Sequence, residues 1–401
     1  MLGRVTQRGD DLKISLELVD TKTLAAIWSE TYDRKMSDLV TLQSEIARNV
    51  SDNLRLKLTT SEQEKVAGSG TASSEAQQLY LKGLFHFNKR FGSGNGEQEM
   101  ERSVRFFKLA IEKDPNYALA YAGLAASYAL MPYLHNYSSI EYLPKAKEEA
   151  QKALELDPDL AEAHAALGNV LLYSYDWEGA ERSFLKAIEI DPKYAKAHQW
   201  YADYLATKGI FDESLKNFDK ALKLDPFDLV TNDSKIRTLL HAEKFDEALS
   251  QAKKFIELFP ESPFGHEFLF SAYKGKGMER EAMEQGWIML KKRGDSEAQI
   301  QETKDVYKKE GLDGVRRKQL ERRLAGIETR LEKDKDAFIR YQPIAEPYAF
   351  MKDKEKTLEY LNKAYQQREP ELTDLKKRRQ FGFLRDEPEF QELLKKIGFP
   401  E

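Results

Sequence analysis

Small and bulky apolar residues recur along the middle of the chain at fixed distances from a row of prolines, at positions 115, 158, 192, 226 and 260. The last three intervals are 34 residues each and the first is 43, the same period with nine residues added. Five places before the prolines stand Ala110, Ala153, Ala187, Ala221 and Phe255; eight before stand Phe107, Ala150, Phe184, Phe218 and Ala252. Ten places after come Ala125, Gly168, Ala202, Ile236 and Phe270, and thirteen after come Tyr128, Leu171, Leu205, Leu239 and Tyr273. A close-approach site thus alternates with a bulky plug at helical spacing. The pattern predicts two antiparallel helices per period, each pair ended by a proline whose ring disfavours helical geometry in the residue before it. A period of this length marks a stacked helical array.

The ends of the chain follow other rules. From Leu12 to Leu18 apolar residues alternate with Lys13, Ser15 and Glu17, the period of a half-buried strand. Gly3 to Gln7 pairs back across the turn at Arg8-Gly9-Asp10-Asp11, and Ala25 to Tyr32 reads as a third strand. Leu39, Leu42, Ile46, Val50 and Leu54 then form the stripe of a helix running to about Leu58. Residues 67–74, AGSGTASS, have linker composition. After Gly294 the period is lost through two charged helices, Glu297 to Lys309 and Leu312 to Lys333; the second carries Leu320, Leu324, Ile327 and Leu331 as a narrow stripe that needs one neighbour. Register returns with Tyr341, Ile344, Ala345, Tyr348, Thr357, Leu361 and Ala364. Asp386 is then placed to cap a final helix that stops at Gly398, a lid for the last pair.

The small-large-small register and terminal proline between Ala118 and Pro260 resemble the tetratricopeptide repeat family, with a departure at Lys235 and Ile236. Gly3-Arg4-Val5, Arg8-Gly9-Asp10, Leu18-Val19-Asp20, Trp28-Ser29-Glu30, Tyr32-Asp33-Arg34 and residues 42–47, LQSEIA, resemble the closing part of the TolB-like domain that precedes such arrays in bacterial regulators. That domain opens with further strands and helices, so the chain is expected to be the tail of a larger protein. An open sheet edge left this way favours a homodimer through the N-terminal segment, or docking on the array. Residues 383–390, FLRDEPEF, resemble the ending of bacterial kinase-linked and cyclase-linked repeat proteins.

The expected fold is mainly α: a right-handed tetratricopeptide superhelical solenoid behind a small partial α/β segment of three strands and one helix. Its division is 1–60 for that segment, 61–75 linker, 76–293 an array of about six repeats, 294–336 charged connecting helices, 337–370 a further pair and 371–401 a capping segment and helix.

Charge and chemistry narrow the function. Sixty-three lysines and arginines against 68 acidic residues offer no global field for nucleic acid, and none is expected as a partner. The absence of cysteine excludes disulfides, thiolate metal sites and cysteine nucleophiles. No apolar run is long enough to span a membrane. A cytoplasmic location is the default, with an extracytoplasmic segment of a membrane-anchored parent as the alternative. None of the six histidines sits in a zinc-binding pattern; His164, His198 and His266 share one register, six places after a proline, and are expected to pack between helices. Gly92, Gly94 and Gly96 lack the strand before and the lysine-serine pair after that a phosphate loop needs. Neither a nucleophile elbow nor a kinase signature is present, so no catalytic residue, metal or cofactor is expected and the chain is read as no enzyme. The basic clusters at residues 316–323 and 376–379 read as solvated helix faces.

In a curved stack the first helix of each pair lines the concave side, which places residues seven and eleven after each proline in the groove. Asn169, Gln199, Asp203, Asp233, Arg237 and Glu267 are therefore candidate peptide-binding residues, with small Ala122 and Ala126 at one end. The nine added residues fall in Met131 to Pro144, an expected irregular loop whose Tyr133, His135, Tyr137 and Tyr142 form a second candidate contact surface. The expected function is non-catalytic scaffolding of peptide or protein partners. The alternative is a sensory or regulatory segment of a bacterial serine/threonine kinase, adenylate cyclase-like protein or transcriptional regulator, with ligand binding or dimerisation through the N-terminal part.

Overall fold

The computed structural model describes residues 2–8, 11–19, 26–35, 45–46, 71, 73–91, 95–134, 137–335 and 338–399. Strands β1 (Leu2–Arg8), β2 (Asp11–Val19) and β3 (Ala26–Lys35) form an antiparallel meander in that order. The period-two stretch sets its register: Ile14 faces Tyr32 and Leu16 faces Glu30, with an irregularity at Leu18/Val19. Tyr32 is the buried centre, packed by Ile14, Leu16 and Ile46. Most of the helix expected over residues 39–58, and most of the linker, lie outside the described residues.

The array is six helix pairs: α1 (Ser74–Lys89) with α2 (Gly96–Lys113), α3 (Ala118–Leu134) with α4 (Ser139–Leu156), α5 (Ala161–Tyr173) with α6 (Trp177–Ile190), α7 (Ala195–Thr207) with α8 (Phe211–Leu224), α9 (Leu229–His241) with α10 (Phe245–Leu258), and α11 (Phe264–Gly275) with α12 (Glu279–Lys292). Asp114, Asp157, Asp191 and Asp225 end the second helices in extended or near-extended backbone, each directly before its proline, as that ring requires. All five residues eight places before the prolines are fully buried, and so are Ala110, Ala153 and Ala187 three places on. The plug-and-socket relation is literal. A Cβ built on Gly168 would stand 2.4 Å from the Phe184 ring, and one on Gly123 would stand 2.6 Å from Phe107.

The nine added residues correct one expectation. Helix α3 runs through Pro132 to Leu134 and α4 begins at Ser139 with Pro144 inside it, so the insertion lengthens two helices instead of making a long loop. Burial explains this, since Ala129, Leu130, Met131 and Leu143 are all core residues. Downstream, the two charged helices follow as expected, the two arms of α13 (Glu297–Lys333), separated at Gly311, whose backbone is non-helical with a φ of 66° that an L side chain rarely adopts. The Leu320, Leu324, Ile327 and Leu331 stripe packs on Ile339 and on Ile344, Tyr348 and Tyr360 of the next pair, which Ile339 precedes. That pair is α14 (Gln342–Phe350) with α15 (Lys354–Gln366), followed by 3-10 turns Pro370–Asp374 and Arg379–Leu384 and by α16 (Pro388–Ile397).

Helix α16 starts from Glu387, not Asp386, with Pro388 at its first position and Gly398 in the left-handed conformation at its end. It is more than a lid on the last pair. Its Leu393, Leu394 and Ile397 share one core with α5, α6 and α7, Trp177 Nε1 donates to the Ile397 carbonyl at 3.0 Å, and Phe399 packs on the Trp177 ring at 5.0 Å. Tyr175 stacks on Tyr365 and its hydroxyl donates to the Glu369 carbonyl at 3.2 Å. The closing segment of the chain thus returns to the third repeat. Among the described residues no helix is long and apolar enough to cross a membrane.

Gly168→Ala is expected to lower stability by about 1–3 kcal/mol through overpacking against Phe184. Gly326→Ala, on a helix with nothing within 4 Å of the new methyl, should be neutral or stabilising by up to about 1 kcal/mol. Denaturant midpoints for the two variants check the contrast; equal shifts would refute it.

Candidate functional site

Two clefts run along the first helices of the pairs, and the predicted groove positions other than Glu267, which lines neither, divide between them. Ala122 and Ala126 line an apolar cleft of about 530 Å³ with Tyr80, Phe87, Leu119 and Trp200. Asn169, Gln199, Asp203, Asp233 and Arg237 line a polar cleft of about 540 Å³. Arg90 stands in the wall of both. It is buried, donates to the Phe87 carbonyl at 2.7 Å and lies over the Phe87 and Phe91 rings. Burial pulls its pKa down to about 10 against the opposing pull of Asp228. Asp228 itself caps α9 by accepting from the Thr231 amide at 3.0 Å and pairs with Lys196.

In the polar cleft the repeat side chains hold one another. Arg237 grips Asp233 through two nitrogens, at 2.7 and 3.2 Å, and reaches Glu267 at 3.3 Å. Burial works against its charge, but Asp233 and Glu267 outweigh it and hold the guanidinium above its ordinary range. Glu267 also accepts from Arg293 at 2.7 Å. Gln199 donates to Asp203 at 3.1 Å. Burial raises the Asp203 pKa to about 6, with Lys377 and the Ser234 and Gln199 hydrogen bonds opposing.

The facing wall was not legible in the sequence. It comes from the returning tail: Arg340 paired with Glu371, Lys377 with Asp374 at 2.7 Å, and Arg378 with Glu346 at 3.2 Å. The cluster at residues 376–379, read as a solvated face, divides: Lys377 and Arg378 line the cleft, whereas Arg379, paired with Glu243, and Lys376, over the Phe399 ring, stay exposed. Glu346 and Glu243 on distant elements recruit Arg378 and Arg379, pairings with no local sequence signal, whereas Lys377 pairs with Asp374 three residues before it. His241, the last residue of α9, lines the cleft from the repeat side, and burial, with Lys377 adding to it, pulls its pKa down to about 3, so the ring stays neutral. At the other basic cluster, Glu302 is shared by Lys318 and Arg322.

The second candidate surface is split. Tyr133 stacks on Tyr173 at 5.5 Å and lines the polar cleft. Tyr137 donates to Glu101 at 2.7 Å and meets Tyr142 edge-on, which in turn meets Tyr128. His135 lies outside the described residues. His164 and His198 share one role: a ring nitrogen of each bonds the carbonyl of the proline six places earlier, at 2.9 and 3.0 Å. His266 bonds Gln285 instead. No group of acidic or histidine side chains among the described residues is placed to hold a metal.

The repeat formed by α5, its turn and α6, residues 161–194, matches the tetratricopeptide repeat model. The chain carries a tetratricopeptide repeat within a solenoid of similar helix pairs. Over 183 residues, 45% of its length, it is 29% identical to a Rhizobium meliloti protein named as a putative adenylate cyclase, and it spans 30% of that relative's length. Among solved structures, a thermophilic tetratricopeptide-repeat protein of Thermus thermophilus aligns over 52% of this chain and 98% of its own, at 16% identity and TM-score 0.39. The human IFIT1 dimer aligns over 82% and 80%, at 15% identity and TM-score 0.46.

Asp203 generates a pH dependence. Its folded pKa lies above the unfolded value of 3.8, so its contribution to stability is complete below that value and is lost as pH rises through about 6. Asp203→Asn should be more stable than wild type at pH 7 by about 1–2 kcal/mol, less than the full shift implies because the side chain keeps some water, and equal to it near pH 4. Comparing the two proteins cancels the opposite contribution of His241. A difference that does not change with pH would refute the assignment.

Proposed function

We propose that the chain is a non-catalytic scaffold that binds a peptide or protein segment along the tetratricopeptide groove, with the apolar cleft as the anchoring surface. The supporting observation is the division of the groove. The polar half faces the chain's own tail, whereas the apolar half keeps Phe227 71% exposed and Leu84 36% exposed at its rim. Apolar side chains of that size left in water beside a cleft mark a surface that gains on being covered. An extended segment with one bulky apolar residue fits: the small Ala122 and Ala126 let its backbone approach, and Arg90 and the Lys196–Asp228 pair offer polar contacts at the side. The groove set Asn169, Gln199, Asp203, Asp233, Arg237 and Glu267 then acts chiefly to hold the polar half in shape.

A second reading, a regulatory segment of a longer signalling protein, draws on the cyclase-named relative and on the TolB-like residues of the N-terminal segment. In that reading the N-terminal sheet binds a ligand or dimerises.

Peptides selected from a random display library on the full chain should carry a bulky apolar anchor. Phe227→Asp should weaken them at least tenfold, about 1.4 kcal/mol, with an unchanged melting temperature because the residue is exposed. Selected peptides that bind this variant as well as wild type would refute the apolar cleft as the anchor.

A further inference from the structure

One carboxylate in the apolar cleft has no counter-charge. Glu162 lines that cleft from the first turn of α5 and is half-buried, so its carboxylate is open to a ligand. Among the described residues it makes no ion pair and no hydrogen bond to another side chain. Burial raises its pKa, a hydrogen bond from its own amide opposes, and the like charges of Asp191 and Asp157 push it up further. The positive end of the α5 dipole compensates part of this cost. No cation of the protein compensates the rest.

The three cations that line the cleft are engaged elsewhere. Lys196 pairs with Asp228 and donates to Gln199 at 3.0 Å. Arg90 lies over the Phe87 and Phe91 rings, and Lys89 over the Phe85 ring. What surrounds Glu162 is aromatic instead. Tyr80 and Tyr194 line the same cleft, and the Glu162 charge adds to the burial that raises both phenols, which puts the three side chains in one locality. A carboxylate beside tyrosine rings in a poorly solvated cleft is a setting that attracts a cation, through the ion pair and through the negative faces of the rings. A wholly apolar segment laid over it would bury the charge unpaired, and an acidic one would add repulsion.

We propose that the segment bound in the apolar cleft carries a lysine or arginine that pairs with Glu162, besides its bulky apolar anchor. The inference rests on the peptide reading above and names the class of partner: a basic-hydrophobic segment. Charge decides which anchored segments are accepted, and apolar contact at Phe227 and Leu84 holds them in place.

Parallel selections from one random peptide display library, on the full chain and on its Glu162→Lys variant, test the pairing. Wild-type binders should be enriched in lysine and arginine over the starting library, and Glu162→Lys binders in aspartate and glutamate, with the apolar anchor kept in both pools. In a synthetic peptide of the wild-type pool, replacing the basic residue by norleucine should weaken binding about tenfold, and so should Glu162→Gln in the protein. The two changes together should cost scarcely more than either alone, because both remove one contact. Melting temperatures verify that each variant folds; should Glu162→Lys fail to, the Glu162→Gln cycle carries the test. Anchored peptides without basic enrichment, or losses that add in the cycle, overturn this inference and leave the apolar cleft standing as the peptide site. A library that yields no binder, or binders indifferent to Phe227→Asp, overturns that reading and this one with it.

Discussion

The contact on which the array depends is the flat approach of a phenylalanine ring to a glycine on the neighbouring helix. Phe184 lies so close to Gly168 that no side chain fits between them, and Phe107 stands in the same relation to both Gly83 and Gly123. Close packing turns this into a constraint on the whole stack, because a helix pushed away by one methyl group carries its partner with it. Where the plug is small, as at Ala150 and Ala252, the residues around it are bulkier; Ala252 is packed with Phe255, Ile236 and Phe268. The repeats therefore keep a volume rather than a residue.

On that frame the chain builds something a plain solenoid lacks. The two arms of α13, broken at Gly311, lead to a last pair and tail that pack on the third repeat, and Trp177 joins them by both hydrogen bond and ring contact. Half of the inner groove becomes a cleft with two protein walls, one from the repeats and one from the tail. Desolvation makes charges in such a place costly unless they are paired, and the pairs Arg237–Asp233, Arg340–Glu371 and Lys377–Asp374 meet that requirement.

The histidines show how a register gains a second use. His164 and His198 sit six places after a proline, one helical turn into the next pair, where a ring nitrogen reaches that proline's carbonyl. The carbonyl is free for this because the turn leaves it outside the helix ladder. Spacing alone predicted that these rings pack between helices; the acceptor depended on the turn geometry.

The sequence by itself determined the helical pairs, their small and large contact positions, the three-stranded meander and the seventh pair. Each rests on a local period of two, 3.6 or 34 residues, which any stretch carries within itself. It misjudged the segment at 131–144, where two prolines and three tyrosines suggested a loop that burial instead completed as helix. Tertiary structure alone decided that the tail meets Trp177 some 220 residues earlier, that Lys377 and Arg378 turn inward, and that Arg340 and Gln342 line one cleft with Asn169. Such pairings join elements by charge and desolvation, and those forces act through space without leaving a period along the chain.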